Sequence, residues 1–300
     1  MELANEKLPW SGETWERIRQ AVSHETERVE IAPKLLPPFE AMPEALTVPS
    51  DTILPGEEAK LLRIDEAATF PLVEIWVELS LTPQQVEKEM DLHSARTLAI
   101  RATNLLSRGE DALIFQGQTA TRTDPLFVDA RVAHRSGPAG TGLLNAPLGE
   151  DQVVTVASLE PGKPSFRERT LQAVTEGCAR LKKGGHYGPY ALVLHDVPYG
   201  DAFKPLPGTL IKAADRLRPM LAAGFYGTGT LPGDPSPTGL LVDVGGNSMD
   251  LVLGKPARMA FLFDDAEGLY RFRVSKRFAL RLKDPSAIVK LIFEARGAGR

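Results

Sequence analysis

The sequence predicts an α+β fold, and three patterns carry that prediction. Two segments, Gly12 to Glu30 and Ser165 to Lys183, set apolar residues at helical spacing. Three others, 71–81, 190–195 and 259–282, alternate apolar with polar residues or run apolar, as strands do. These elements follow no regular strand–helix–strand series, so a wholly parallel sheet is not expected.

The first helix takes Ser11 as its N-cap. Trp15, Ile18 and Val22 face inward, and Glu16, Arg17, Arg19 and Gln20 face outward. From Ala32 to Glu58, Pro33, Pro37, Pro38, Pro43, Pro49 and Pro55 interrupt every period. That stretch suits neither a helix nor a central strand. An extended arm or long hairpin loop is expected, and a long ordered arm needs a partner surface. In 71–81, Val73, Ile75, Val77, Leu79 and Leu81 share one face, opposite Glu74, Trp76, Glu78 and Ser80.

A spine helix is expected over Val86 to Phe115, longer than the usual 11–12 residues or so of a globular helix. Its inner stripe is Leu92, Ala95, Ala99, Ala102 and Leu106, with Arg96, Arg101 and Glu110 outside it. Residues 117–164, rich in Gly, Pro and Thr, read as loop with short strands. After Pro164, Ser165 and Glu168 form a candidate capping box. The helix that follows buries Leu171, Val174, Cys178 and Leu181 and ends at Gly184 and Gly185. A buried strand at Tyr190 to His195, a helix over Thr209 to Leu221 and a Gly/Pro-rich hairpin at Gly224 to Gly239 come next. Strands at Met259–Phe263, Leu269–Val274 and Phe278–Leu282, with a turn at Asp264 to Gly268, end the reading.

Composition narrows the function classes. With 43% hydrophobic and 25% charged residues in 300, the chain is no disordered polyelectrolyte. Thirty-five basic against 39 acidic residues leave a net charge of −4, which argues against a nucleic-acid partner. A lone cysteine, Cys178, excludes an internal disulfide and a Cys-rich metal site. The first residues carry Glu2, Glu6 and Lys7 without an apolar core, so no secretory signal is expected. No run of 18 apolar residues exists, so no membrane span is expected either. A soluble, intracellular protein is the resulting expectation.

Chemistry-bearing motifs are sparse. His24, His93, His134, His186 and His195 stand in no metal-ligand spacing, and Cys178 lies on an apolar helix stripe. Gly227-Thr228-Gly229 lacks the third glycine of a dinucleotide loop and precedes prolines. Neither a phosphate-binding Gly-x-x-x-x-Gly-Lys loop nor a Gly-x-Ser-x-Gly elbow occurs. Asp264 and Asp265 fit a turn. Arg271, Arg273, Arg277 and Arg281 form a basic period-two row, expected as a solvated strand face pairing with acidic neighbours such as Glu74 or Glu78 rather than with phosphate. No catalytic or metal-ligating residue is assigned, which points to a structural or binding role.

Several stretches resemble one family in its own order. Trp15-Glu16-Arg17-Ile18 looks like a Trp-x-x-Ile in the first helix, and Phe70-Pro71-Leu72-Val73-Glu74-Ile75 looks like a Leu-Pro-Leu-Ile-Glu-Leu strand. Gly109-Glu110-Asp111-Ala112-Leu113-Ile114-Phe115-Gln116-Gly117, followed by Gly142-Leu143-Leu144, is similar to Glu-Asp-x-x-Ile-Phe-x-Gly … Gly-Leu-Leu. Gly188-Pro189-Tyr190-Ala191-Leu192-Val193, Met249-Asp250-Leu251-Val252-Leu253-Gly254 and Asp284-Pro285-Ser286-Ala287-Ile288 fit its later segments. By these stretches the chain resembles the encapsulin (linocin-type) shell proteins, which have the Hong Kong 97-type phage capsid fold.

The resemblance implies an amino-terminal helix and inner-wall segment over 1–35, an E-loop arm over 36–70 and a P-domain with the spine helix over 71–164. An A-domain over 165–255 and P-domain strands over 256–300 complete the division. It implies a homo-oligomeric icosahedral shell, sixty copies or larger, in the bacterial cytoplasm. The shell would enclose a ferritin-like protein, peroxidase or other redox enzyme docked through a terminal peptide. Family members dock cargo at a Gly-Arg-x-Ile-x-Asp segment; here Ala32-Pro33-Lys34-Leu35-Leu36-Pro37 replaces it. Leu35, Leu36, Met259 and Phe261 are the implied cargo-binding residues, and Asp201 and Lys204, in a loop stiffened by Pro205 and Pro207, the implied pore-lining ones. Flavin-binding members carry a tryptophan where this chain has Gln84, so no cofactor is expected. The competing readings are a phage or prophage major capsid protein and, third, a bacteriocin- or protease-like enzyme. The near-terminal position of Trp15 favours the nanocompartment over the phage capsid, which commonly carries a leading scaffold segment. The arm is expected to become ordered on assembly.

Overall fold

A computed structural model describes residues 8–41, 45–55, 62–65, 67–135, 140–160, 163–206 and 208–294. The charged start of the chain, Pro43, Pro207 and arm positions 56–61 and 66 lie outside them.

Helix α1 spans Gly12–Val29, and the Ser11 hydroxyl accepts the Thr14 N–H at 3.2 Å. Trp15, Ile18 and Val22 are buried as the spacing predicts. A one-turn helix, α2 (Ala32–Leu35), then leads into strand β1 (Pro38–Glu40). The arm holds β2 (Thr47–Pro49), β3 (Thr52–Pro55), β4 (Leu62–Asp65) and β5 (Thr69–Pro71), paired antiparallel as β2 with β5 and β3 with β4.

Strand β6 (Val73–Leu81) precedes two short helices, Pro83–Glu87 and Glu89–Leu92, and then the spine helix α3, Ser94–Gln116. The spine is thus shorter than the expected span from Val86. His93 takes a left-handed φ of 52°, which ends one helix and starts the next. The Glu89 carboxylate caps the new start, accepting the Ala95 and Arg96 N–H groups at 2.7 and 3.0 Å. Leu92, expected on the inner stripe, is half exposed for the same reason, whereas Ala95, Ala99, Ala102 and Leu106 are buried.

From Gly109 to Gln116 the spine is buried on all sides, and Glu110, expected outside the stripe, is fully enclosed. Its carboxyl group lies 2.6 Å from Lys276 Nζ, because an ionisable group so deep needs a polar partner. The helix ends at Gly117, φ 62°, against Gly142, φ 70°. A Cβ on Gly117 would sit 2.1 Å from the Gly140 carbonyl oxygen, and one on Gly142 would sit 2.2 Å from the Gly117 nitrogen. The two glycine segments singled out in the sequence therefore touch, backbone to backbone.

Beyond the spine come short helices at Ala120–Thr123 and Pro125–Val128, where loop was expected, then β7 (Ala133–Arg135) and β8 (Val153–Ala157). Helix α4 (Arg167–Lys183) buries Val174, Cys178 and Leu181. Strands β9 (Tyr190–His195), β10 (Gly224–Thr228) and β11 (Thr238–Asp243) follow, and α4 packs on β8 and β11. The last strands are β12 (Met249–Asp264), β13 (Tyr270–Leu282) and β14 (Ile288–Glu294).

Two five-stranded sheets result, ordered β1-β12-β13-β6-β7 and β10-β9-β11-β14-β8. Strands β10 and β11 flank β9 instead of forming the expected hairpin with each other. Of the helix expected over Thr209–Leu221, only Ala213–Leu217 and a short 3₁₀ turn at Arg218–Met220 form. The Thr209 hydroxyl accepts the Ile211 N–H at 3.2 Å and holds the preceding residues in a turn. The expected short strands between 259 and 282 merge into the long β12 and β13, whose turn is tied by Asp265 accepting the Glu267 and Leu269 N–H groups. Strands β8 and β14 lie outside the expected 165–255 unit yet belong to its sheet.

Gly117→Ala and Gly142→Ala should each destabilise the protein by about 2–3 kcal/mol or more, since backbone fills the space a methyl would need. Urea denaturation followed by circular dichroism measures the loss. A variant within about 0.5 kcal/mol of the parent would refute the close-contact account.

Candidate functional site

Four residues expected on a cargo wall lie in the interior. Leu35, Leu36, Met259 and Phe261 are 1%, 2%, 7% and 5% exposed and share one hydrophobic cluster. Phe261 packs edge-on against Phe272, which stacks on Trp10 at 5.2 Å. These side chains hold α1 and α2 to the first sheet, and none offers a free surface. The open surface of α1 is elsewhere. A cleft of about 400 Å³ between α1 and the start of the spine is lined by Arg17, His24, Met90, His93 and Arg96, among others.

Asp201, expected to line a pore, is 2% exposed. Its carboxylate accepts the N–H groups of Phe166 and Arg167 at 2.6 and 2.8 Å and so caps α4. The predicted Ser165–Glu168 capping box does not form, and the Ser165 hydroxyl is buried without a partner among the described residues. A carboxylate from Asp196–Ala202, a distant helix, outcompetes the local serine because it brings a full charge to the helix N-terminus. Lys204 is exposed and reaches back to Asp201 at 3.1 Å. The solvent-facing tip of this region is apolar: Leu210 is 90% exposed, and Leu206 and Ile211 close a small turn by a 2.8 Å backbone bond.

The basic row on β13 divides. Arg273 pairs with Glu78 at 2.6 Å and Arg277 with Glu74 at 3.5 Å, as expected, while Arg271 pairs with Asp265 at the turn. Arg281 is buried. It holds Asp250 through two bonds of 2.8 and 2.7 Å, reaches Asp51 in the arm and covers the Phe39 ring at 4.2 Å. Lys283 adds a second cation 2.8 Å from Asp250, and the Ile53 N–H donates to the Lys283 carbonyl at 2.8 Å. This knot fixes the arm's root. Along the arm, Leu46 at its base (70% exposed) and Ile64 (59%) are bare. Beside the root, Phe70, Pro71, Leu113, Ile114 and Leu280 help line a cleft of about 680 Å³.

One nucleophile–base contact escapes spacing analysis, because its members are a hundred positions apart. Ser286 Oγ lies 2.8 Å from His186 Nε2, and Asp243 lies 3.8 Å from His186 Nδ1. Three bonds spend these groups on structure. The Ser286 hydroxyl donates to Asp284 at 2.5 Å, and Asp243 accepts the Gly188 and Gly245 N–H groups at 3.1 and 2.7 Å. The arrangement locks the turn before β14. Cys178 is buried, which pushes its thiol pKa up and its nucleophilicity down. Gln84 is exposed on the first turn after Thr82. Among the described residues no cluster of three His, Cys, Asp or Glu could hold a metal ion, and no helix is long and apolar enough to cross a membrane.

Comparison with known proteins matches this architecture. The family model for the encapsulating protein for peroxidase, Linocin_M18, matches residues 153–279. The chain is 26% identical over 307 aligned positions to the type 1 encapsulin shell protein EncA of Myxococcus xanthus, covering 96% of each. The virus-like particle from Pyrococcus furiosus superposes with a TM-score of 0.64 at 16% identity, covering 92% of this chain and 98% of that one. The chain has the Hong Kong 97-type capsid fold and is similar to encapsulin shell proteins. The capsid of an empty GTA particle has the same fold, with a TM-score of 0.56 at 18% identity over 87% of this chain and 89% of that one.

Asp201→Ala should cost about 1–2 kcal/mol of stability through loss of the α4 cap, whereas Lys204→Ala should stay within about 0.5 kcal/mol. Thermal unfolding of both variants decides. Equal effects would mean that Asp201 is not the cap.

Proposed function

We propose that this chain is a structural shell protein whose identical copies close into an icosahedral particle in the bacterial cytoplasm. About sixty copies, or a larger symmetric multiple, would form it. The arm carries this reading. It is held to the sheet by the buried Arg281–Asp250–Asp51 knot, yet Leu46 at its base and Ile64 along it are exposed. An anchored arm with bare apolar side chains gains stability by lying on another subunit, which covers that surface. The apolar cleft beside the root is a surface of matching chemistry on the same molecule, so each copy both offers an arm and receives one.

The lumen would hold a redox enzyme, ferritin-like or peroxidase, tethered by a terminal peptide. Since Leu35, Leu36, Met259 and Phe261 are closed into the core, the peptide's first contact would be the open cleft on α1. Arg17, His24, His93 and Arg96 would favour an acidic peptide there. Small substrates would pass pores lined by the exposed Leu210 tip rather than by Asp201. No catalytic step is assigned to the shell itself.

Negative-stain electron microscopy with light scattering on the same purified fraction tests the proposal. Uniform hollow spheres are expected. A monodisperse monomer or dimer across several buffers would overturn it, and nuclease-protected DNA inside the particles would favour the phage capsid reading.

A further inference from the structure

Three carboxyl groups and one ammonium are shut together where α1, α2, the spine and β13 meet. Lys276 Nζ on β13 lies 2.8 Å from Glu30 and 2.6 Å from Glu110. The Ser107 hydroxyl donates to Glu30 at 3.3 Å. Next along the spine, Asp111 accepts the Ile31 N–H and, at 2.8 Å, the Ala32 N–H. Glu30, Glu110, Asp111 and Lys276 are all 5% exposed or less. Charge counting shows the difficulty. One cation faces three acids, so full ionisation would leave two uncompensated negative charges in the core. Glu110 Oε1 is moreover buried with no donor among the described residues. On α1, Glu25 pairs with Arg28 and accepts from Asn104, and Ile75, opposite Lys276 on β6, adds no charge.

We propose that this cluster is a proton-held latch: protons on Glu110 and Asp111 keep the α1–α2 junction fastened to the spine, and their loss unfastens it. The junction meets the cluster through the Ile31 and Ala32 N–H groups and leads into a helix of a single turn, so it is the part that yields. Unfastening would bare the apolar face that carries Trp15, Ile18, Leu35 and Leu36.

The direction of the pH dependence follows. Burial pushes Asp111 up to about 7, against the lowering effect of the Ala32 and Ile31 N–H groups. It pushes Glu110 well up too, although Lys276 opposes this. Burial alone would lower Lys276, but Glu110 and Glu30 overcome it and raise the ammonium, which stays charged. An acid with a raised native pKa contributes stability that is full below its unfolded value, about 4, and is lost as pH rises through its native value. For Asp111 that window runs from about 4 to about 7, with the Glu110 contribution lost in the same direction.

Hydrogen exchange of the full chain in its native oligomer, corrected for intrinsic rates, tests the latch between pH 6 and pH 9. Ile31 and Ala32 amides should open about tenfold more often at the upper end, with a parallel rise in binding of an apolar dye. Asp111→Asn keeps an oxygen acceptor but cannot ionise, so its opening should change less than about twofold over the same range. An unchanged transition in Asp111→Asn, or none in the parent, would overturn the proposal. Should that variant fail to fold, infrared difference spectra of the parent still decide. A protonated carboxylic acid band at pH 6 that fades by pH 9 is expected, and its absence at pH 6 would refute the latch.

Discussion

The constraint on which the rest of the structure depends is that the spine helix changes character half-way along. Its first turns lay a stripe of alanines against α1 and keep Arg96 and Arg101 in water. Its last turns are enclosed on every side. An enclosed helix end must satisfy its side-chain charges and its terminal carbonyls without water. The carboxyl groups of Glu110 and Asp111 are met by Lys276 from β13 and by backbone donors at the α1–α2 junction. The end of the helix is met by a glycine pair, Gly117 and Gly142, that lets two backbones meet where any side chain would collide. Once those two conditions hold, the positions of β13 and of the amino-terminal helix relative to the spine are fixed.

A second charge knot performs the corresponding task at the edge. Arg281 satisfies Asp250 within the sheet and Asp51 across to the arm, while its guanidinium face covers Phe39. Planar guanidinium geometry allows these contacts at once, which a lysine ammonium at the same place could not match. The arm is thus rigidly rooted and poorly covered. That combination has little value to an isolated molecule, because the exposed Leu46 and Ile64 gain nothing from being held out. It is what an interlocking subunit requires, since a pre-set arm loses less entropy when it docks.

Periodicity made much of this legible. The first helix with its Ser11 cap, β6, β9 and the apolar stripe of α4 can be read from spacing alone, because each buries one face against a neighbour. Reading fails where a residue's partner is far away in sequence. Glu110 looks like a solvated helix charge until Lys276, 166 positions later, is brought beside it. Asp201 looks like a loop acid until α4 presents its bare N–H groups. The strands β10 and β11 look like a hairpin because only a Gly/Pro-rich stretch separates them, yet β9 offers each an edge and takes both. The resemblance to shell proteins reached farther than spacing did, since motif order reflects these long-range partners indirectly. Its implied cargo residues Leu35, Leu36, Met259 and Phe261 are buried within the single chain.

These errors share a direction. Each ionisable residue singled out for a surface role because of its chemistry, and found buried, serves the fold: Asp201 caps a helix, Arg281 roots an arm and Glu110 anchors a lysine. A protein that works by shape has reason to spend its charges this way. Buried ion pairs add little net stability but tolerate few alternative arrangements, since breaking any one strands a charge in the core. A shell needs many copies to agree closely in shape, so arrangement matters more to it than depth of stability. The same economy leaves the exposed chemistry plain, with apolar tips, an apolar cleft and scattered surface ion pairs. Such surfaces suit contact between identical neighbours, in which complementarity of form selects the partner and no single reactive group is needed.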